Sequence, residues 1–503
     1  MDDSRGVAVR EPAPARAPVT AAPWRDRVIL AAITVTAAAL YATHSLTRLA
    51  DFRASSYDLV IFDQAVRSYS RGDLPIAVVK GVHNGFGPAF STLGDHWSPI
   101  LAVLAPLYWL FDGPRTLLVA QAVLLAAAAV PLWALTRRLL GRAEAHCVAA
   151  AYALSWPVVE TIAFDFHEAA FAPLLTAVLL ERWQAGRRVH VVLAALALLL
   201  VKEDMGLLVA GFGVVLLTRR GWRAMGGGFV AGGLAHTWLA SQVLIPLFGG
   251  RADYYWAYGA LGADFGGVAR TALSDPGAVL AQLWSPPVKL MTLALLLGLT
   301  LGAALLSPLM IMAVPLLAER MLASSFPNWW EPHFHYNAFV VVVVFAAGVD
   351  GVRRMRDRRA GDDPRAGRAT KVWAAGVLAF GLVSVPYNSL AQLADPVTYQ
   401  HDARQRAAAG AVAVVPGGVQ VEVANRLGPA LSGRTTVLLW DRTPRWAPWV
   451  VADVGELTFP FQSLEEQRER VRLLESRGYR KAYERDGYVV LRATSAPTTP
   501  GPP

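Results

Sequence analysis

Two short sequences decide how this chain is organised: YDLVIFDQ at residues 57–64 and GDHWSP at residues 94–99. Both follow the first long apolar run, at about residues 28–47. They contain three aspartates and one histidine: Asp58, Asp63, Asp95 and His96. Charged side chains beside a lipid bilayer are costly unless they are solvated, paired or bound to a ligand. We therefore predict that this first loop, residues 49–114, carries the functional site.

The composition indicates a polytopic membrane protein. Of the 503 residues, 54% are hydrophobic and only 17% are charged, and the mean hydropathy is +0.37. A soluble chain of this length would be more polar. The net charge is +9, but the basic residues form short clusters between apolar runs. That pattern is typical of membrane topology and argues against a nucleic-acid partner. The single cysteine, Cys147, excludes a disulfide framework.

The alternation of basic and acidic clusters predicts the membrane topology. Basic clusters, such as those at residues 137–138 and 353–359, are expected in the cytoplasm. Acidic clusters, such as those at residues 165–168 and 202–204, are then expected outside. This predicts about eleven transmembrane helices over residues 25–392 that cross the bacterial cytoplasmic membrane, with the N-terminus on the cytoplasmic side.

From residue 393 onward the sequence resembles a small soluble α/β unit. Short apolar runs alternate with helical stretches, and Ser463 is positioned to cap a charged helix. We predict an extracytoplasmic α/β domain over residues 393–495. The ends of the chain, residues 1–24 and 496–503, have no packable pattern and are predicted to be disordered tails, the first of them cytoplasmic.

Five short motifs from four loops together resemble the bacterial membrane protein family known as domain of unknown function 2079. They are YDL at 57–59, HWSP at 96–99, DFHE at 165–168, KED at 202–204 and HY at 335–336. That family is similar in turn to the GT-C superfamily, whose members transfer a sugar from a polyprenyl-phosphate carrier. The resemblance implies a GT-C-like transmembrane domain, a lipid-linked sugar donor, and an envelope glycan, lipid or protein as the acceptor.

Glycosyl transfer to a hydroxyl group requires a base at the acceptor and a positive charge for the departing phosphate. The resemblance to GT-C enzymes implies that the base is an acidic residue of the first outer loop. Those enzymes often carry an adjacent acidic pair, whereas here Asp58 is followed by Leu59 and the next acid is Asp63. We predict Asp58 as the general base, with Asp63 as the alternative.

The other candidate site residues are also expected at the outer ends of the membrane spans. The predicted substrate-binding residues are His96, Lys202, Glu203, Asp204, Arg320, His335 and Tyr336. Of these, Lys202 and Arg320 are the cations predicted to bind the phosphate. The candidate ligands for a divalent metal ion are Asp165, His167 and Glu168. The aromatic cluster at residues 254–256 is interpreted first as an interfacial anchor.

Two other functions stay open at this point. A transporter would also carry polar residues in its membrane spans, but these are expected near the middle of the spans and in repeated halves. A non-catalytic envelope assembly protein would use the C-terminal domain to bind a partner. The predicted clustering of polar residues at one side of the membrane favours the membrane glycosyltransferase.

Overall fold

The computed structural model describes residues 23–251, 254–359 and 364–494. Most of these residues are helical, and a small sheet lies near the C-terminus. The predicted tail at residues 496–503, and nearly all of the tail at residues 1–24, lie outside the described residues.

The α-helices are numbered in chain order. In the first half they are α1 Trp24–Ala50, α2 Ile61–Ser70, α3 Val78–His83, α4 Ala105–Tyr108, α5 Pro114–Ala127, α6 Ala129–Leu139, α7 Arg142–Leu154, α8 Trp156–Ala163, α9 Phe171–Gln184, α10 Arg188–Leu199, α11 Met205–Leu217 and α12 Arg223–Leu239. In the second half they are α13 Ile245–Leu247, α14 Phe265–Ser274, α15 Pro276–Gln282, α16 Val288–Gly298, α17 Val314–Leu322, α18 Ala338–Arg359, α19 Pro364–Ser384, α20 Ala403–Val414, α21 Gly428–Leu431 and α22 Leu464–Ser476.

Four helical stretches of the described residues are long and apolar enough to cross a membrane. They are Trp24–Ala50, Pro114–Leu139, Arg223–Leu247 and Gly367–Tyr387. The second of these has 26 residues, which at about 1.5 Å per residue exceeds the roughly 30 Å of a bilayer core. Shorter apolar helices, including α10, α11 and α16, lie between them. The helical membrane fold agrees with the sequence analysis, whereas the count of about eleven crossings stays a prediction.

Helix α18 forms the centre of the bundle. Every residue from Ala338 to Val352 is buried, as expected for a helix that is apolar all round and surrounded by others. It packs against α6, α8 and α9. Helices α11 and α12 approach each other so closely that a Cβ on Gly206 would clash with the carbonyl oxygen of Gly233. Small residues therefore determine this helix crossing.

The C-terminal unit is a five-stranded mixed sheet in the order β2-β1-β3-β5-β4. The strands are β1 Gln420–Val423, β2 Thr436–Leu439, β3 Trp449–Asp453, β4 Tyr479–Arg485 and β5 Tyr488–Ala493. Strand β1 pairs in parallel with β2 and β3, and β5 pairs antiparallel with β3 and β4. The buried strands are the apolar runs of the sequence. Strand β4 is polar and lies at an edge, so no apolar run marks it.

The C-terminal domain shares a hydrophobic core with the first loop. Val60 and Ile61, at the start of α2, and Ala77 and Val79, at the start of α3, belong to the same buried cluster as the sheet. The domain is thereby fixed to one end of the helix bundle, which we call the domain side. The first loop and the domain form one packed layer there.

Candidate active site

Asp58 lies in the turn Ser56–Val60, between α1 and α2. Tyr57 and Asp58 do not have helical dihedral angles in this turn. Asn425 of the C-terminal domain holds the turn by two hydrogen bonds. The backbone N–H of Ser56 donates to the Asn425 carbonyl at 2.7 Å, and the backbone N–H of Tyr57 donates to Asn425 Oδ1 at 2.9 Å. The Asp58 side chain is 29% exposed, and its Oδ1 lies 3.6 Å from Nε2 of His167. Asp58 therefore combines solvent access with a single loose ion-pair contact within the described chain.

A column of three rings leads from Asp58 into the protein. The rings of His167 and His335 stack with centroids 3.7 Å apart, and those of His335 and Tyr336 stack at 4.2 Å. Burial lowers the pKa of His167, but the Asp58 carboxylate outweighs burial and raises that pKa above its usual value. Asp58 and His167 therefore act electrostatically as a pair. Nδ1 of His335 is buried and makes no hydrogen bond to any residue that the structure describes.

Lys202 lies beside this column. Its side chain is 7% exposed and its Nζ lies 3.7 Å from Oε1 of Glu168 and 5.5 Å from the ring centroid of Tyr336. The ammonium group makes no hydrogen bond to the described part of the chain, and Oε2 of Glu168 is likewise unpartnered there. The carboxylates of Asp204, Glu168 and Glu203 stabilise the ammonium charge, but its three donors make no hydrogen bond to the described residues and can bind a ligand oxygen.

His96 and Glu203 join the first loop to the turn that follows α10. Nδ1 of His96 lies 2.7 Å from Oε1 of Glu203, and the backbone N–H of Trp97 donates to Oε2 of Glu203 at 3.0 Å. Burial and the charge of Lys202 lower the pKa of His96. Glu203 outweighs both effects, so the pKa of His96 lies above its usual value. Glu203 thus positions His96.

Lys80 is a cation of this region that the sequence analysis missed. Its Nζ lies 3.1 Å from Oδ1 of Asp95 and 5.1 Å from the ring centroid of Tyr57. The Tyr255 hydroxyl donates to Asp95 at 2.7 Å, and the Tyr255 ring stacks on His96. Burial raises the pKa of Asp95, but Lys80 overcomes this effect and holds the pKa below its usual value. No local motif surrounds Lys80, because its partners come from other parts of the chain.

Asp63, the alternative base, lies in a different environment. Its side chain is fully buried, with Oδ2 2.8 Å from Nη2 of Arg67. It also accepts hydrogen bonds from the Tyr108 hydroxyl at 2.8 Å and from Ser432 of the C-terminal domain. All of its neighbours are protein groups, so Asp63 connects α2, α4 and α21 and does not face the surface that Asp58 faces.

Arg320 and Asp204 lie deeper than Tyr336. Nη1 of Arg320 donates to the backbone carbonyl of Tyr336 at 2.6 Å, so this arginine supports the ring column from behind. Asp204 acts electrostatically on Lys202. Nη2 of Arg320 and Oδ1 of Asp204 are buried and have no hydrogen-bond partner among the described residues, so the phosphate-binding role of Arg320 stays a prediction.

The candidate metal ligands have separate partners. Asp165 accepts hydrogen bonds from the backbone N–H and the hydroxyl of Ser55, at 2.8 and 2.7 Å, and burial raises its pKa to about 6. Glu168 faces Lys202, and Nδ1 of His167 lies 3.2 Å from the Asp165 carbonyl. Within residues 23–251, 254–359 and 364–494, no group of three His, Cys, Asp or Glu side chains is arranged to hold a metal ion. These residues do not fit a metal as a set.

An apolar cavity of about 1530 Å³ lies between α1, α4, α5 and the C-terminal domain. Its walls include Leu46, Leu49, Phe52, Leu104, Leu107, Leu110, Val119, Val123, Pro429 and Ala430. It ends beside α21, whose Gly428 packs so closely on Ser56 that a Cβ would clash with the serine hydroxyl. The cavity therefore extends to α21, the helix that packs against the turn that carries Asp58.

The sequence profile of a family described as "Predicted membrane protein (DUF2079)" matches residues 48–490. This chain belongs to that family. The match confirms the family assignment made from the five loop motifs. A search among curated proteins found no match for this DUF2079 chain.

Two solved structures are similar to this DUF2079 protein in fold. One is ArnT from Cupriavidus metallidurans bound to undecaprenyl phosphate, with 13% identity, a TM-score of 0.50, and coverage of 93% of this chain and 98% of ArnT. The other is the archaeal oligosaccharyltransferase AglB from Archaeoglobus fulgidus in complex with an inhibitory peptide and a dolichol-phosphate, with 11% identity, a TM-score of 0.43, and coverage of 94% of this chain and 75% of AglB. Both are GT-C glycosyltransferases, and the likeness to ArnT shows that the DUF2079 chain has a GT-C-like fold.

Proposed function

We propose that this protein is a membrane glycosyltransferase that moves a sugar from a polyprenyl-phosphate donor to an acceptor hydroxyl on the outer face of the bacterial cytoplasmic membrane. The observation that carries the proposal is Asp58, a partly exposed carboxylate in front of a buried layer of histidines and lysines. In this topology the domain side faces outward. The ArnT structure, which holds undecaprenyl phosphate, supports the choice of donor class.

Asp58 acts as the general base in this proposal. It accepts the proton of the acceptor hydroxyl while the hydroxyl oxygen bonds to the anomeric carbon of the sugar. The bond between that carbon and the phosphate oxygen breaks, and the carrier leaves as polyprenyl phosphate. His167, whose Nε2 lies 3.6 Å from Oδ1 of Asp58, orients the carboxylate before it takes the proton.

Lys202 stabilises the departing phosphate. Its ammonium is buried, and within the described chain its nearest carboxylate oxygen, on Glu168, is 3.7 Å away, which leaves its donors for a ligand. Tyr336 lies between Lys202 and the histidine stack, so the ring column links the base to the cation. A charge-assisted contact that strengthens as the phosphate leaves would lower the barrier.

The apolar cavity provides a place for the polyprenyl chain. It is lined by aliphatic side chains of α1, α4 and α5, and it extends to Pro429 and Ala430 of α21, next to Gly428, which packs on Ser56. A chain lying there would bring its phosphate close to the Asp58 turn. A transporter is less well supported, because the polar groups gather in loops at the domain side instead of at mid-span.

The test is transfer by the purified full-length protein, offered a panel of radiolabelled polyprenyl-phosphate sugars with membrane-extract acceptors, with and without divalent metal. We expect Asp58→Asn to reduce transfer by roughly 10²- to 10⁴-fold, the usual contribution of general-base catalysis. Binding of undecaprenyl phosphate should stay unchanged, because the variant keeps the shape of the side chain.

The matched control is Asp73→Asn, which removes an exposed carboxylate from the same loop and should leave transfer at the wild-type rate. If the wild-type protein neither binds a lipid-linked sugar nor turns one over across the panel, the enzyme proposal fails. Transport in proteoliposomes is then the next assay.

A further inference from the structure

Three arginines meet at the domain-side end of α1, on a face that the mechanism above does not use. Arg48 and Arg53 come from α1 and the residues that follow it, and Arg426 comes from the C-terminal domain, directly after Asn425. The backbone N–H of Arg53 donates to the Arg48 carbonyl at 2.8 Å, and Asn425, the neighbour of Arg426, accepts from the backbone N–H of Ser56 at 2.7 Å. We call Arg48, Arg53 and Arg426 the arginine face.

The described carboxylates neutralise this face only in part. Nη2 of Arg53 pairs with Asp51 at 2.8 Å, whereas Arg426 is 65% exposed and lies 3.9 Å from Glu456. Arg48 donates to the backbone carbonyl of Arg53 at 3.2 Å and forms no ion pair within the described ranges. Asp165 and Glu160 attract Arg48 from a distance, but Ser55 and Ser389 hold those two carboxylates by hydrogen bonds.

Buried polar groups without partners lie beside the arginine face. His44 is one helical turn before Arg48 and only 2% exposed. Neither of its ring nitrogens completes a hydrogen bond with any described residue, although Gln392 and the Ser389 backbone are its neighbours. Nδ2 of Asn388, a residue 7% exposed, is also unpartnered there. Buried polar groups normally find partners, so a cluster of such groups indicates a ligand.

The arginine face is linked to the candidate base, Asp58, through Asp165 and Ser55. Arg48 acts on Asp165, and Asp165 holds Ser55 and acts on Asp58. Lys202 reaches Asp58 by a different route, through Tyr336. The site therefore has two separate cationic groups, one joined to the Asp58 turn through Ser55 and Asn425 and one beside Tyr336, whereas a single departing phosphate needs only one.

We infer that the arginine face binds a phosphate group of the acceptor, so that the acceptor is an anionic molecule. This inference rests on the proposed function, because it assigns the second substrate of the same site. Guanidinium groups bind phosphate oxygens in pairs, and a phosphate would occupy the donors of Arg48 that have no carboxylate. Arg426 would reach the acceptor from the C-terminal domain, whose adjacent Asn425 holds the Asp58 turn.

The experiment measures two affinities of the full-length protein in nanodiscs of phosphatidylcholine, a lipid without net charge. One probe is glycerol 3-phosphate, a soluble phosphate that represents the acceptor, and the other is undecaprenyl phosphate, which represents the carrier. We expect Arg426→Gln and Arg53→Gln each to weaken glycerol 3-phosphate binding by about tenfold or more. Affinity for undecaprenyl phosphate should stay within about twofold of the wild type.

The control is Arg472→Gln, which removes an equally exposed arginine from α22 of the same domain and should change neither affinity. Arg48→Lys, which keeps the charge but loses the paired donors, should give an intermediate loss. An equal loss of undecaprenyl phosphate affinity in Arg426→Gln would assign the face to the donor and overturn the inference. Glycerol 3-phosphate binding that is absent, or insensitive to all three arginines, would overturn it as well.

The two probes also separate this inference from the proposed function. If the wild-type protein fails to bind undecaprenyl phosphate, the donor assignment fails, and the glycerol 3-phosphate measurement still reports on the arginine face. If the carrier binds and the arginine variants have no effect, only the anionic acceptor is ruled out.

Discussion

Asp58 and Asp63 belong to one loop and are five residues apart, but the regions around them differ sharply. Asp58 is 29% exposed with one partner at 3.6 Å. Asp63 is fully buried and is bound by Arg67, Tyr108 and Ser432. The Asp58 carboxylate has one partner in the described chain, whereas the Asp63 carboxylate contacts three side chains.

The same contrast separates two buried lysines. Lys289 is fully buried, and its Nζ donates to the carbonyls of Gln282, Met321 and Ala323 at 2.7–2.8 Å. Lys202 is nearly as buried, but it makes no hydrogen bond to the described residues and faces Glu168 at 3.7 Å. A buried charge with all of its bonds made stabilises the fold, and a buried charge without them is poised for a ligand. This difference can be tested by substitution.

The largest effect on stability is expected for Asp63→Ala. The substitution leaves Arg67 paired only with Asp112 and removes the acceptor for the buried hydroxyls of Tyr108 and Ser432, which together should cost roughly 3–5 kcal/mol. Thermal unfolding of the purified protein measures this loss, with the exposed Asp73→Ala as the control. A variant of unchanged melting temperature that has lost transfer activity would instead make Asp63 the base.

Substituting the two lysines by methionine should have different effects. Lys289→Met leaves the carbonyls of Gln282 and Met321 without this donor, while Ala323 keeps the donor from Gln282 Nε2. The substitution should destabilise the protein by about 3 kcal/mol, with little change in carrier affinity. Lys202→Met breaks no hydrogen bond of the described chain but removes the cation that faces Glu168, so its melting temperature should fall less than that of Lys289→Met. Its affinity for undecaprenyl phosphate should fall by about tenfold or more.

Both measurements belong to one experiment, because each variant is the control for the other. If Lys202→Met is as destabilised as Lys289→Met and its folded fraction binds the carrier normally, Lys202 is a structural residue. The distinction between satisfied and unsatisfied lysines would then fail.

A smaller effect is expected where the two regions meet, at Asn425. Asn425→Ala removes the acceptor for the backbone N–H of Tyr57 and should cost about 1 kcal/mol of stability. The Asp58 turn would lose its alignment, so we expect transfer to fall by roughly tenfold, since small displacements of reacting groups slow catalysis strongly. Gln420→Ala, an exposed position on β1, is the control. A variant that loses stability without losing transfer would show that Asn425 only connects the domain.

Much of the fold follows directly from the sequence. The long apolar runs and their basic flanks predict a helical membrane protein. Near residue 393 these runs give way to short apolar runs that alternate with helical stretches, which predicts the C-terminal α/β unit. Strand β4 was missed because Arg480, Lys481 and Glu484 make it polar, which an exposed edge strand tolerates. The shared core of domain and loop could not be predicted, because Val60 and Ile61 resemble any other apolar pair.

The candidate site was predictable in its members but not in their roles. Loop motifs identified His96, Lys202, Glu203 and His335, and the structure gathers them at the domain side. The motifs could not separate Asp58 from Asp63, because that difference depends on Ser432, which lies 369 residues from Asp63 in the sequence. Lys80 was missed for the same reason, since its partner Tyr255 is 175 residues away.

The smallest expected effect is a pH dependence of stability that comes from the pair of Asp58 and His167. The pKa of His167 in the folded protein lies above its usual 6.5, because the pull of Asp58 outweighs burial. The folded protein therefore binds this proton more tightly than the unfolded chain does. The resulting stabilisation is complete below pH 6.5 or so and is lost as the pH rises through the raised pKa.

Raising the pH from 6 to 9 should therefore lower the melting temperature of the wild type more than that of His167→Gln or Asp58→Asn. Burial raises the pKa of Asp165 to about 6, so this residue also favours the folded state at low pH. Asp165 is present in all three proteins. Comparing the pH-induced changes among the proteins removes most of its contribution. Equal changes in all three would show that Asp58 and His167 do not form an electrostatic pair. Asp58 would then stand as an isolated carboxylate, and only the transfer assay could establish it as a base.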